Sequence, residues 1–206
     1  MSNILFVTSS ARRVGSYSNQ VASALVEKLE TASPGAIVTV RDLNREPLPH
    51  IDDDFVVAIR GPGGPQTDLQ REIARRSDAL VDELMAADTV VIAAPMINFT
   101  IPTTLKSWID YVARAGRTFS YTENGPKGLV NGKRVFLVVA RGGVYSDKAQ
   151  FDFQLPYLRH VLAFLGMTDV EVIDVEGTAF GPEAAERAVN AALARVDAVA
   201  REQRAA

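Results

Sequence analysis

Five short apolar runs, each followed by a stretch of helical periodicity or a turn, constrain this 206-residue chain more than any other feature. Ile4–Val7, Ile37–Val40, Val90–Ala94, Val135–Ala140 and Val170–Val175 read as strands of the kind that is buried on both faces. Between them, Val21, Leu25 and Leu29 recur at helical spacing behind a cap at Ser18. A long helix begins at Thr67 or Asp68, with Leu69, Ile73, Leu80 and Leu84 on one face. Pro102 sits at the first turn of a helix carrying Leu105, Trp108, Ile109 and Val112 inward. Leu155–Leu165 forms a helix closed by Gly166, and Pro182 opens a last one with Ala185, Val189, Ala192, Val196 and Val199. Leu43–Pro65 is expected to be irregular with one helical turn, Thr118–Tyr121 extended, and Asn124-Gly125-Pro126 a turn. Buried strands alternating with helices predict an α/β fold, a doubly wound parallel sheet covered on both faces. With no repeat, low-complexity tract or linker, residues 1–206 are expected to form a single domain.

Composition narrows the function. Hydrophobic residues make up 47% and charged residues 23%, the balance of an ordinary globular chain. No apolar run approaches the roughly 20 residues that span a bilayer, and the start, MSNILFVTSS, reads as mature protein, not signal peptide. There is no cysteine, which excludes a disulfide scaffold, a thiolate metal site and a cysteine nucleophile, and fits a reducing, cytoplasmic setting. Two separated histidines give no zinc pattern, so no metal is expected. A net charge of −3 gives no reason to expect nucleic acid or an anionic membrane as partner.

In doubly wound sheets ligands bind beyond the carboxyl ends of the strands, where the winding reverses. After the first strand, Thr8 to Ser18 supplies hydroxyls at Ser10, Ser16 and Ser18, backbone amides at a helix start, Gly15 for a tight turn, and no acidic residue. That combination suits a phosphate, although a serine-rich helix cap would look the same. It is neither a GxxxxGK[ST] loop nor a GxGxxG fingerprint. After the third strand, Pro95-Met96-Ile97-Asn98-Phe99 offers apolar side chains and one amide, either as a wall for a flat aromatic ligand or as a packing surface for a neighbour. After the fourth, Ala140-Arg141-Gly142-Gly143 lets backbone approach a ligand closely or simply turns the chain. None of these loops holds a nucleophile elbow, a metal helix or an evident base, so the chemistry is expected to belong to a cofactor.

The chain resembles the flavodoxin-like FMN-dependent NADH-azoreductases, which also act as NADH:quinone oxidoreductases. The resemblance is carried by Ser9-Ser10 with Ser16 and Ser18, Pro95–Phe99 (PMINF), Ala113–Gly116 (ARAG), Thr118–Pro126 (TFSYTENGP) and Arg141–Gly143, and it covers essentially the whole chain. It implies a five-stranded parallel sheet in the order 2-1-3-4-5. It implies that Ser10, Ser16, Tyr17 and Ser18 hold the FMN phosphate and ribityl chain, that Pro95, Met96, Ile97, Asn98 and Phe99 line the isoalloxazine, and that Ala140, Arg141, Gly142 and Gly143 hold its pyrimidine side. It also implies a homodimer with FMN near the interface and a ping-pong reaction. NADH reduces FMN and leaves, and a quinone or an azo compound then takes the electrons. Phe119, Tyr121 and Tyr145 are candidates for the substrate side, with packing as the alternative role of the first two. The chain departs from the family's frequent residues at Ile97 (often Tyr), Ala140 (often Ser) and Tyr145 (His in some relatives).

Arg141 has two readings: a cation that stabilises charge on reduced flavin, or a member of an ion pair. The competing functions are an FMN electron carrier without direct NADH oxidation, and a non-redox phosphate-binding domain. Carriers lean on a strongly acidic face for docking, which a net charge of −3 does not supply.

Overall fold

The computed structural model describes residues 2–146 and 149–205. Seven strands and six α-helices follow one another as β1 (Asn3–Thr8), α1 (Tyr17–Ala32), β2 (Ile37–Asp42), α2 (Asp53–Arg60), α3 (Asp68–Ala86), β3 (Thr89–Pro95), α4 (Thr103–Val112), β4 (Phe119–Thr122), β5 (Gly125–Gly128), β6 (Arg134–Ala140), α5 (Leu155–Leu165), β7 (Asp169–Val175) and α6 (Pro182–Ala205). Five of the strands make one parallel sheet in the order β2-β1-β3-β6-β7. Because β4 and β5 pair only with each other, this is the expected order 2-1-3-4-5.

Alternate residues of each central strand feed two separate cores. Leu5, Val7, Val90, Ile92, Val135 and Leu137 pack with Leu80 and Leu84 of α3, Leu105 and Trp108 of α4, and Leu158 and Leu162 of α5. Ile4, Phe6, Val91, Ala93, Phe136 and Val138 pack on the other face with Val21 and Leu25 of α1 and Val189 and Val196 of α6. Strands apolar on both sides fold this way because either face left in water would forfeit its burial, about 25 cal/mol per Å².

Several local expectations are corrected. Ser16, not Ser18, caps α1: its Oγ accepts from the Asn19 amide at 3.3 Å, and Ser18 is buried within the first turn. The stretch read as irregular contains the two-turn helix α2, capped by Asp52 and seated by Phe55 and Ala58. Leu69 is 56% exposed; Gln70 is buried instead, since its side chain closes a capping box with Thr67 and donates to Asp54. β2 is an edge strand whose Ile37 and Val40 are exposed, so it is not buried on both faces. In the hairpin the turn is Glu123-Asn124, and Gly125 and Pro126 already pair with Thr122 and Tyr121.

The hairpin is seated on α5 at a contact only glycine allows. A Cβ on Gly128 would lie 2.2 Å from the amide nitrogen of Gly166, the left-handed residue that ends α5. Gly128→Ala is therefore expected to destabilise the protein by about 1–3 kcal/mol through overpacking against backbone, measured by urea unfolding.

Candidate functional site

The carboxyl ends of the central strands are level. Pro95 pairs with Ala140 and Ala140 with Val175, so the loops after β3, β6 and β7 leave the sheet side by side. β1 ends beside β3, where the winding reverses, and brings the Ser9–Ser16 loop to the same place. Between these loops lies a cleft of about 330 Å³. Its floor and walls come from Ser10, Ser16, Tyr17 and Ser18, from Pro95, Met96 and Ile97, and from Ala140 and Gly142. The three sequence-predicted loops therefore meet.

One end of the cleft is built for an anion. The serine hydroxyls stand at the start of α1, Ser16 Oγ lies 3.3 Å from Ser18 Oγ, and Ser10 Oγ accepts from the Arg12 amide at 3.2 Å. No acidic residue occupies the first turn of α1, so the positive end of the helix dipole is uncompensated. Arg12 lines this end and an adjoining hollow that it shares with Arg13, Arg45 and Asp42, three cations to one carboxylate. Among the described residues no carboxylate lines the cleft. Ser9 serves the loop and not the ligand, because its buried hydroxyl donates to the Ala93 carbonyl at 2.8 Å and fastens the loop to β3.

The other end is a slot between small or apolar groups. The Met96 amide donates to the Ala140 carbonyl at 2.8 Å, which joins the β3 and β6 loops at their roots. Ile97 and Thr100 then exchange backbone hydrogen bonds around Asn98 and Phe99, both at positive φ (46° and 71°). Asn accepts such a conformation readily, whereas Phe is strained there. This tight turn brings Asn98 and Phe99, both exposed, to the edge of the loop beyond Ile97.

The loop after β7 supplies a wall that sequence reasoning missed. Thr178 and Ala179 line the cleft, and their amides donate to the carbonyls of Arg141 and Gly142 at 3.2 and 3.0 Å. Gly177 joins in by donating to Gly143 at 2.9 Å. The signal was the Gly177-Thr178-Ala179 run following a strand, the same kind of small-residue loop that marked Arg141–Gly143. Ala11, Arg12 and Gly15 also border the cleft.

Arg141 turns away from the cleft. It is 4% exposed, and its guanidinium contacts Gln154, Glu176, Asp152 and Asp174, so its side chain is an ion-pair member and is not aimed at a ligand in the cleft. Gly143 lies behind the wall, next to the Tyr145 ring. Tyr145 packs over the Arg141 guanidinium, 5.7 Å from ring centroid to Cζ, on the far side from the cleft. Phe119 is buried against Phe164 and Tyr121, which is a packing role. Tyr121 is 76% exposed on the hairpin and does not reach the cleft of its own chain. Among the described residues no group of three His, Cys, Asp or Glu side chains could hold a metal ion.

The donor set fits FMN. A phosphate would find hydroxyls and the amides of a helix start with no acidic residue in its first turn. A flat ring would find a slot whose Gly142 is already so close to Ala179 that an added Cβ would stand 3.3 Å from the Ala179 methyl.

Known proteins point the same way. A family model described as the flavodoxin-like fold matches residues 2–200. An FMN-dependent NADH:quinone oxidoreductase of Mesorhizobium japonicum is 53% identical over 206 residues, covering 99% of this chain and 98% of its own. The crystal structure of an azoreductase from Bacillus anthracis (strain Sterne) superposes with a TM-score of 0.89 at 33% identity, covering 98% of this chain and all of that one. An FMN-dependent NADH-azoreductase from the Ames Ancestor strain, solved in complex with FMN, gives a TM-score of 0.86 at 26% identity over 97% of this chain and 100% of its own.

The carboxylates behind the wall carry their own signature. Burial lifts the Asp174 carboxyl above its ordinary range; Arg141 opposes the shift, Glu176 and Asp152 reinforce it, and Arg159 opposes it. A carboxyl whose pKa is raised on folding costs stability once it ionises, so this cost appears as pH rises through the ordinary carboxylate range. Asp174→Asn is expected to raise the melting temperature slightly at neutral pH, with the gain vanishing in acid where the wild-type carboxyl is protonated.

Proposed function

The chain belongs to the family of the flavodoxin-like fold, and on that footing we propose that it is an FMN-dependent oxidoreductase that uses NADH to reduce quinones by two electrons and to cleave aromatic azo compounds reductively. The observation that carries this reading is the cleft at the switch point, with serine hydroxyls and a helix N-terminus for an anion at one end and a slot between small or apolar groups at the other. The names of its relatives, an NADH:quinone oxidoreductase and azoreductases, supply the substrate classes. They also favour an enzyme over an FMN carrier that cannot oxidise NADH.

When bound, FMN supplies the chemistry, accepting a hydride from NADH and passing it to the acceptor. The protein's own residues bind and orient. Ser10, Ser16 and Ser18 would present hydroxyls to the phosphate, Arg12 would offset its charge, and Tyr17 would border the ribityl chain; Pro95, Met96 and Ile97 line the slot together with Ala140, Gly142, Thr178 and Ala179. With Ile97 and Ala140, this chain offers apolar surface where relatives often have a phenol and a hydroxyl. No acid or base in the cleft is required of the protein, because holding two successive partners against one ring face is itself what accelerates such transfers.

We propose further that the molecule acts in the cytoplasm as a homodimer, with the cleft near the interface. Support comes from exposed apolar groups at the same end of the sheet. The Phe153 amide donates to the Phe99 carbonyl at 3.2 Å, which joins the backbones of two exposed phenylalanines near the exposed Ile97. Clustered exposed apolar residues mark an interaction surface. No described helix is long and apolar enough to cross a membrane.

Initial rates with NADH and a benzoquinone varied together are expected to give parallel double-reciprocal lines; converging lines or no turnover would contradict the proposal. Light scattering is expected to give twice the 22.3 kDa chain mass. The phosphate site has a sharper test. Ser16→Asp preserves the helix cap, because Asp caps as well as Ser, but it places a negative charge where the phosphate binds. Its affinity for FMN is expected to fall by about tenfold or more, roughly 1.4 kcal/mol, while affinity for riboflavin, which lacks the phosphate, stays unchanged.

A further inference from the structure

Arg141 sends its guanidinium away from the cleft, yet every group it holds belongs to a segment that shapes the cleft. Its Nε donates to Gln154 Oε1 at 3.1 Å, and Gln154, fully buried, donates through Nε2 to the Ala94 carbonyl at 2.9 Å. That carbonyl immediately precedes Pro95, the root of one cleft wall. Nη2 lies 3.2 Å from Asp152 Oδ2, while Asp152 Oδ1 accepts from the amides of Gln154 and Leu155 at 2.9 and 3.0 Å and so fixes the start of α5. Nη1 donates to Glu176 Oε1 at 2.8 Å, and the same oxygen accepts from the Tyr145 amide at 3.1 Å. Glu176 in turn leads directly into Gly177, Thr178 and Ala179, the opposite wall.

We infer that Arg141 is the positioning residue of the flavin cleft: its guanidinium ties the Pro95–Ile97 wall, through Gln154, to the wall formed by Ala140, Gly142, Thr178 and Ala179, and so sets the width of the slot. The inference rests on the assignment of that cleft to FMN. A planar guanidinium suits this role because it donates in several fixed directions at once, whereas a lysine ammonium is a single point charge on a flexible stem. Stability alone is a poor reason for the arrangement. Three carboxylates, Asp152, Asp174 and Glu176, lie within 4 Å of one guanidinium that is 3% exposed, and apolar replacements of buried ion clusters are often neutral or stabilising. What the cluster gives is geometry, since it adds a side-chain tie beyond the Met96–Ala140 backbone bond that joins the walls at their roots.

Two variants separate positioning from folding. R141K retains the charge on a slightly shorter side chain; the triple variant R141M/D152N/E176Q removes the guanidinium together with the two less exposed of its three carboxylates. FMN affinity, the visible circular dichroism of the bound flavin and the melting temperature are measured for both beside the wild type. R141K, and the triple variant with a melting temperature near the wild type's, are expected to bind FMN about tenfold or more weakly, with an altered flavin dichroism band. Wild-type affinity and an unchanged band in R141K would overturn the inference, as would the same result in a stable triple variant; if the triple variant fails to fold, R141K alone decides. The cofactor assignment and the positioning role fail differently. A wild-type protein that binds no FMN, or binds it equally well as Ser16→Asp, overturns the cofactor assignment and this inference with it. Normal FMN binding by the wild type and loss in Ser16→Asp, with Arg141 variants unaffected, overturns this inference alone.

Discussion

A sheet buried on both faces leaves its strands no place for polar chemistry except their ends. Val90 to Ala94 and Val135 to Val139 contribute alternate side chains to two apolar cores, and a polar group in either would lose its water without gaining a partner. The parallel arrangement then brings the carboxyl ends of all five strands to one side. The level pairing of Pro95, Ala140 and Val175 turns this into a site, because loops that start at the same height face each other across a narrow gap. The rest of the cleft follows from that constraint: a helix N-terminus after β1 for an anion, and small residues after β6 and β7 for close backbone approach.

Charge is segregated along the same line. On the cleft side, serine hydroxyls, helix amides and Arg12 offer donors without a competing carboxylate among the described residues. Behind the wall, Asp152, Asp174, Glu176 and Arg141 form a compact network screened from the cleft by backbone. An arginine in the slot would be a strong local field on any bound ring. Here the cation sits among three carboxylates and acts mechanically through the loops it ties together.

Most of the fold was legible because its signals are local and repeated. Apolar runs located the strands, and spacings of three and four located α1, α3, α4, α5 and α6. α2 escaped because eight residues show barely two turns of periodicity, although Asp52 with Phe55 and Ala58 carried a cap and a buried face. Leu69 misled because hydrophobicity outweighed the Thr67–Gln70 capping box, which rotates Gln70 to the inside. For the site, the loops after β1, β3 and β6 were readable, whereas the Thr178–Ala179 wall was overlooked. The direction of Arg141 was not readable at all. Its partners lie 13 residues away at Gln154 and 35 away at Glu176, and only the folded sheet brings them together. The backbone at Asn98 and Phe99 was unreadable for a related reason: a two-residue turn at positive φ leaves no periodic signal.

The central claim, that this cleft holds a flavin open to direct reduction by a nicotinamide, is tested most directly by an anaerobic visible spectrum. FMN-loaded protein is recorded before and after one equivalent of NADH. Prompt bleaching of the bound flavin is the result the account predicts. A bound flavin that stays oxidised would contradict it and would identify the protein as a carrier that receives its electrons from another protein.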